Sequence, residues 1–222
     1  MTAGAVVLVA ALAAAFGWWR FHFFHRNPGR VAPPGADPVC SADGRILYVE
    51  DVELAGAAAN PYHERVRTAF AVQGSWTVVA TYLSIFDVHY VRSPIAGRVR
   101  LHHVAPVAAN LSMGASFLYA ALRRPLPLTR RDYTEKNEFL GVSVEGDGLR
   151  ILLVLMADWW IDQIITCVED GETVQRGQVI GKIQMGSQVD AWVRAGTLTA
   201  IPQPPAAVRA GETVLGVRTE AS

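Results

Sequence analysis

The sequence predicts a mostly β protein, a compact sandwich or flattened barrel with a few short helices, carried on one N-terminal membrane helix. Three observations predict it. From residue 44 onward, short runs rich in β-branched and aromatic residues alternate with Gly, Asp or Pro. Helical periodicity is weak. The first nineteen residues, "MTAGAVVLVAALAAAFGWW", carry no charge.

The elements follow in chain order. At ~1.5 Å per helical residue the uncharged N-terminal run spans roughly 27–29 Å, close to a hydrocarbon core of ~30 Å. It lacks the basic start of a signal peptide. Trp18 and Trp19 stand where an interfacial aromatic belt would, and Arg20, Arg26 and Arg30 follow. Positive charge after the span and none before it places the body of the protein on the cytoplasmic side of the cell membrane. Residues 1–24 are therefore expected to be an anchor and 25–222 the functional domain. "FHRNPGRVAPPGADP" (24–38) reads as a Pro/Gly-rich linker or wrapping loop.

Strands are expected in "GRILYVEDVEL", "WTVVATYLS", "GRVRLHHVAPV", "FLGVSVEG", "LRILLVLMA", "QIITCVEDG", "VIGKIQMG" and "VDAWV". Asp147-Gly148 joins two of them as a hairpin turn. Short helices are expected within "LAGAAANPYHERVR" and "SMGASFLYAALR". Internal echoes, "SADGRILYV" with "SPIAGRVRL" and "GETVQRGQV" with "GETVLGV", suit a core of repeated hairpin units. The segment "GETVQRGQVIGKI" resembles the strand-turn-strand of lipoyl-like carrier domains. A carrier would need a modifiable Lys at the hairpin tip, however, and Lys182 falls inside the strand.

Composition narrows the function. Of 222 residues, 51% are hydrophobic and 18% charged, enough for a sizeable core. Lys+Arg and Asp+Glu are both 20, which argues against nucleic acid as a partner. The two cysteines, Cys40 and Cys167, are far apart and outside any CxxC. A disulfide framework or a metal site is not expected.

At Gly186-Ser187 two strand-like runs meet, and the residues permit either a turn or a reaction site. Gly imposes no side-chain obstacle, and a Ser hydroxyl needs a neighbouring base to be nucleophilic. Of the six histidines, His22 and His25 lie beside the anchor and His63 in an expected loop. His102 and His103 are adjacent in a strand, so at most one faces inward. His89 is two residues from Asp87, on the same face if the segment is a strand.

Five motifs in order then carry a resemblance: "FFHRNPGR", "CSADGRI", "YLSIFDVHYVRSPIAGRV", "VEDGETVQRGQVIGKIQMGSQVDAWV" and "VRAGETVLGV". Together they resemble the phosphatidylserine decarboxylase proenzyme family in its short bacterial and archaeal form, over nearly the whole chain after the anchor. The resemblance implies self-cleavage between Gly186 and Ser187 into a β chain, 1–186, and an α chain, 187–222, that stay together as a heterodimer. It implies that Ser187 becomes a pyruvoyl cofactor and that phosphatidylserine in the membrane is decarboxylated to phosphatidylethanolamine. A higher homo-oligomer, and an ether-lipid substrate as the alternative, are also implied; an uncleaved lipoyl-like homologue is the rival reading. By the same resemblance, His89 would be the base, Asp43 and Asp87 would orient and charge it, and Arg92 would hold a substrate carboxylate or phosphate. Arg92 stands where longer members have a second histidine. "KNEF" lacks the family's usual Arg, and Trp159 and Trp160 replace a Gly/Ala-rich stretch.

Overall fold

The structure, a computed structural model, describes residues 3–55, 60–159, 164–184 and 187–219. The apolar N-terminus forms α1 (Ala3–Trp18), continued by one wider π-type turn over Trp19–Phe23. Those 21 residues are long and apolar enough to cross a bilayer, and no residue of α1 is buried against the protein.

The strands are β1 (Gly44–Leu54), β2 (Gly74–Leu83), β3 (Tyr90–Arg92), β4 (Gly97–Val104) and β5 (Phe139–Gly146). They continue with β6 (Leu149–Ala157), β7 (Ile164–Thr166), β8 (Thr173–Val174) and β9 (Val179–Ile183). Last come β10 (Ser187–Arg194), β11 (Leu198–Thr199), β12 (Ala207–Val208) and β13 (Val217–Arg218). One eight-stranded antiparallel sheet runs β12-β1-β2-β10-β6-β5-β4-β8. A three-stranded sheet, β3-β9-β7, and the pair β11-β13 complete the layers. The sandwich expected from sequence is present; the large sheet stays open rather than closing into a barrel.

Why the central strands read as unbroken apolar runs follows from this layering. A strand covered on both faces has no solvent side to make polar. In β6, Ile151, Leu153 and Leu155 face the small sheets, while Leu152, Val154 and Met156 face the helices. β10 alternates likewise: Val189, Ala191 and Val193 lie in the first cluster and Trp192 in the second. In β1 a bulge at Leu47 shifts the register between Ile46 and Tyr48, so Leu47 and Tyr48 both join the helix-side cluster.

The helices are α2 (Pro61–Phe70), α3 (Gly114–Ala121) and α4 (Asp132–Lys136). α2 starts because the Asn60 side chain accepts from the Tyr62 amide at 2.8 Å, with Pro61 at the first helical position. Its buried Tyr62, Val66 and Phe70 recur every four residues and pack on the sheet. His63, expected in a loop, lies in this helix.

The Asp147-Gly148 hairpin has both residues at positive φ, 50° and 73°, as a twist-matched two-residue turn requires. Gly44 differs in kind. Its φ is +144°, and a Cβ there would fall 1.9 Å from the Tyr82 carbonyl oxygen. Gly148→Ala, in open space, should therefore cost only the left-handed backbone term, about 1–2 kcal/mol. Gly44→Ala should cost ~4 kcal/mol or more, because backbone must move as well. Denaturant unfolding of both variants in detergent checks the ranking; equal losses would show that β2 yields freely at Tyr82.

Candidate active site

Ser187 opens β10 and pairs with Leu83 of β2 on one side and Ala157 of β6 on the other. It is 0% exposed, and its Oγ has no hydrogen-bond partner among the described residues. Strand alternation puts it on the face of Val189 and Ala191, toward β3 and β9. A buried hydroxyl left unpaired costs roughly 1–3 kcal/mol, so this one calls for an explanation. Gly186 lies outside the described residues.

His89 lies at the same corner. Leu83, the ladder partner of Ser187, leads through a short turn to His89, whose carbonyl accepts from the Ile183 amide at 3.1 Å. Ile183 precedes Ser187 by four residues, a reach of at most about 14 Å. The imidazole is 0% exposed, and its Nδ1–H donates to the Asp87 carbonyl oxygen at 3.0 Å. A carbonyl can only accept, so the neutral ring carries its proton on Nδ1. The Nε2 lone pair is left without a partner among the described residues. Burial, followed by the charges of Arg26, Lys182 and His25, pushes the pKa down to about 4, against the raising effect of the Asp87 carbonyl. His89 is neutral at pH 7.

The carboxylates expected to orient and charge His89 are occupied elsewhere. Asp87 sits in a turn, not a strand, and its Oδ2 accepts from the Ser84 amide at 2.8 Å and the Ser84 hydroxyl at 2.6 Å. It touches His89 through its backbone alone. Asp43 accepts from Arg30 at 2.6 Å and from the Ala210 amide at 2.8 Å. Burial and neighbouring cations, not these carboxylates, set the direction of the His89 shift. Arg92 likewise has other work. It donates to the carbonyls of Gly177 (2.9 Å) and Pro28 (3.1 Å) and to Asn27 Oδ1 (2.7 Å). It clamps the linker to the turn before β9. Of the adjacent pair, His102 is half-buried against Phe70 and His103 is exposed.

The chain that follows the apolar helix closes the corner. The Phe24 ring, fully buried, stacks on His89 with centroids 4.3 Å apart. Arg26 lies 3.8 Å over the Phe23 ring and donates to the Phe86 carbonyl at 2.5 Å. A protein shortened to begin near residue 27 would thus lose a wall of the site, not merely its anchor.

Two further groups carry roles that the sequence did not announce. Asn137, 0% exposed, donates to the carbonyls of Leu111 (2.9 Å) and Ala157 (2.8 Å), fixing β6 opposite Ser187. "KNEF" marked its position but not this role. On the helix side of β10, Asp190 accepts from Tyr62 (2.6 Å), Tyr48 (3.2 Å) and Gln188 (2.7 Å). Gln188 in turn accepts from Tyr133 at 2.6 Å. Burial pushes Asp190 up to about 6, against its hydrogen bonds. Polar residues inside an apolar strand pattern were the available signal. Trp159 is 60% exposed, and Trp160 lies outside the described residues.

A family model for phosphatidylserine decarboxylase matches residues 19–216. The chain belongs to the phosphatidylserine decarboxylase family. Its relatives include the phosphatidylserine decarboxylase proenzymes of Erythrobacter litoralis, 34% identical over 96% of this chain and 83% of that protein. That of Symbiobacterium thermophilum is 32% identical over 94% and 81%. That of Carboxydothermus hydrogenoformans is 26% identical over 87% and 78%. In this phosphatidylserine decarboxylase homologue the family match begins at Trp19, so it takes in the Phe24 wall as well as the sheet.

Two outcomes follow from this geometry. Because the folded pKa of His89 lies below its ordinary 6.5, the unfolded chain binds the proton more readily between the two values. Its contribution to stability is complete above pH 6.5 and is lost as pH falls toward 4. Asp190 acts with opposite sign, since its raised pKa makes the native state less stable as pH rises from about 4 to 6. In a Ser187→Ala background, His89→Gln should remove the acid-side loss and leave a curve that only declines over this window. An unchanged curve would show that His89 is not buried neutral.

The second outcome concerns the anchor. If the chain cuts itself before Ser187, as proposed below, removing residues 1–18 should spare the rate of that cut, while removing 1–26 should slow it at least tenfold by unroofing His89. Equal rates on a gel time course would deny Phe24 any part in the site.

Proposed function

We propose that this chain is a phosphatidylserine decarboxylase proenzyme that cuts itself before Ser187. The observation that supports the reading is that Ser187, with an unpartnered hydroxyl, and neutral His89, with an unpartnered Nε2 lone pair, are both fully buried and both tied to the ends of β2 and β9, partners being judged among the described residues. The Ser187 proton passes to Nε2, and Oγ bonds to the Gly186 carbonyl carbon. The Gly186–Ser187 amide bond breaks, and the freed amine takes up a proton. Loss of the Ser187 Cα proton with cleavage of Cβ–Oγ then releases 1–186 as a carboxylate. Water replaces the nitrogen on residue 187, ammonia leaves, and a pyruvoyl group caps 187–222. Positioned base catalysis of this kind contributes roughly 10²–10⁴-fold.

The residues present fit such a group: its site begins a strand pinned on both sides, buried, with no described side chain bonded to Oγ. Once formed, it supplies an electron-accepting carbonyl that takes the amine of phosphatidylserine and makes loss of carbon dioxide feasible. In the uncut chain His89 is a base and not an acid. A role as proton donor to Cα in turnover therefore requires that cutting relieve its desolvation. Asp43 and Asp87 act as positioning residues, Asp87 through the turn that aims His89 and Asp43 through the Ala210 amide.

The pieces stay joined in this reading because β10 lies between β2 and β6, and β12 pairs with β1. The domain faces the cytoplasm, in keeping with the arginines that follow the apolar span. A cleft of about 370 Å³ bounded by Tyr82, Ser84, Phe86, Asp87 and Phe117 opens beside the turn to His89 and suits entry of a lipid.

Purified protein should appear as fragments 1–186 and 187–222, the smaller beginning with a pyruvoyl mass and converting phosphatidylserine to phosphatidylethanolamine. Ser187→Ala should remain one inactive chain. His89→Ala should cut at least 100-fold more slowly, measured on gels, and normal cutting in that variant would falsify the assigned base.

A further inference from the structure

Three basic side chains meet where the membrane helix ends, with no acidic partner among the described residues. Arg20 lies in the last turn of the apolar span and donates to His25 Nε2 at 2.7 Å. Lys182 of β9 approaches His25 Nδ1 from the other side and lies 4.9 Å from the centroid of the Tyr90 ring. Lys182 is buried and His25 is half-buried.

The donor count does not close. A neutral imidazole has one lone pair and one N–H, whereas an ammonium and a guanidinium only donate. One ring nitrogen therefore presents an N–H to a cation. The charges that act on His25 are Lys182 and Arg20, both lowering its pKa after the effect of burial. Those acting on Lys182 are Arg20 and the Cys167 thiol, again after burial. No carboxylate enters either set. Such a group of donors is satisfied by an anion with several acceptor oxygens.

We propose that Arg20, His25 and Lys182 form an anion site for the phosphodiester of a membrane phospholipid. Its height favours a lipid over free phosphate, since Arg20 lies in the last turn of the 21-residue apolar span and headgroups lie at that level. The inference rests on the reading of this chain as an enzyme of serine phospholipids only for the identity of the lipid. His25 packs edge-on against Phe24 at 5.3 Å, and Phe24 in turn stacks on His89. A headgroup held there is placed two aromatic rings away from His89.

The test uses full-length Ser187→Ala protein in detergent, so that neither cutting nor turnover is needed. Dihexanoyl phosphatidylserine and dihexanoyl phosphatidylglycerol are titrated by calorimetry, with inorganic phosphate as competitor. Lys182→Gln should weaken binding of both lipids about tenfold or more, and Lys182→Arg should restore it to within about twofold. Arg20→Gln and His25→Gln, at less buried positions, should each weaken it too and stand in if Lys182→Gln fails to fold. Unchanged affinity in folded Lys182→Gln overturns the site. Displacement of the lipids by inorganic phosphate at equal concentration overturns the lipid assignment. A protein that binds lipid through Lys182 but never cuts or decarboxylates would keep this site and sink the proposed activity. Normal turnover with an unchanged KM in Lys182→Gln would do the reverse.

Discussion

The rest of the structure depends on β10 being a central strand that begins at Ser187. Both edges of the strand are taken, by β2 and by β6, so residue 187 is held by two ladders at once. Neither a loop nor an edge strand would fix it so firmly against a break in the chain next to it. The two faces of β10 divide the labour. Val189, Ala191 and Val193 fill the layer under the small sheets, and Gln188 and Asp190 tie the other face to Tyr48, Tyr62 and Tyr133. Asn137 adds a fixed point on β6 directly across from the serine.

The electrostatics of the corner are set by dryness more than by pairing. In many nucleophile-base sets a carboxylate supports the imidazole. Here the carbonyl of Asp87 fixes the tautomer, while Phe24 and the surrounding cations keep the ring uncharged. A neutral ring with its lone pair turned away from Asp87 is suited to accept a proton. Phe24, in the segment after the apolar helix, contributes to that burial, so the apolar helix and the state of His89 are joined through one short stretch of chain.

Much of this was legible in the sequence, for physical reasons. Alternation and unbroken apolar runs reported which strands have one covered face and which have two, and Asp147-Gly148 announced its turn. The N-terminal span declared itself by length and lack of charge. What the sequence hid were partner choices. Asp43, Asp87 and Arg92 stand at motif positions, but a motif does not say whether a carboxylate meets a histidine, an arginine or a backbone amide. Three-dimensional competition for donors decided that, and Arg30, Ser84 and the carbonyls of Pro28 and Gly177 won. Asp190 was missed for a related reason: one polar letter in an apolar strand gives no hint of the two tyrosines that reach it from β1 and α2.

The interleaving of the segment from Ser187 onward with the rest has a consequence for how such a molecule is made. That segment supplies a middle strand, an edge strand and, through Val214, a bridge to Val39. A separately synthesised tail would have to insert between β2 and β6, which without it would meet as a mispaired sheet. If the chain is cut before Ser187 as proposed, folding must come first and scission second. Once cut and then unfolded, the two fragments no longer share the covalent connection that set their register. Under that proposal the cut form is a state reached once from the intact chain, and its longevity is a matter of barrier height rather than of reversible equilibrium.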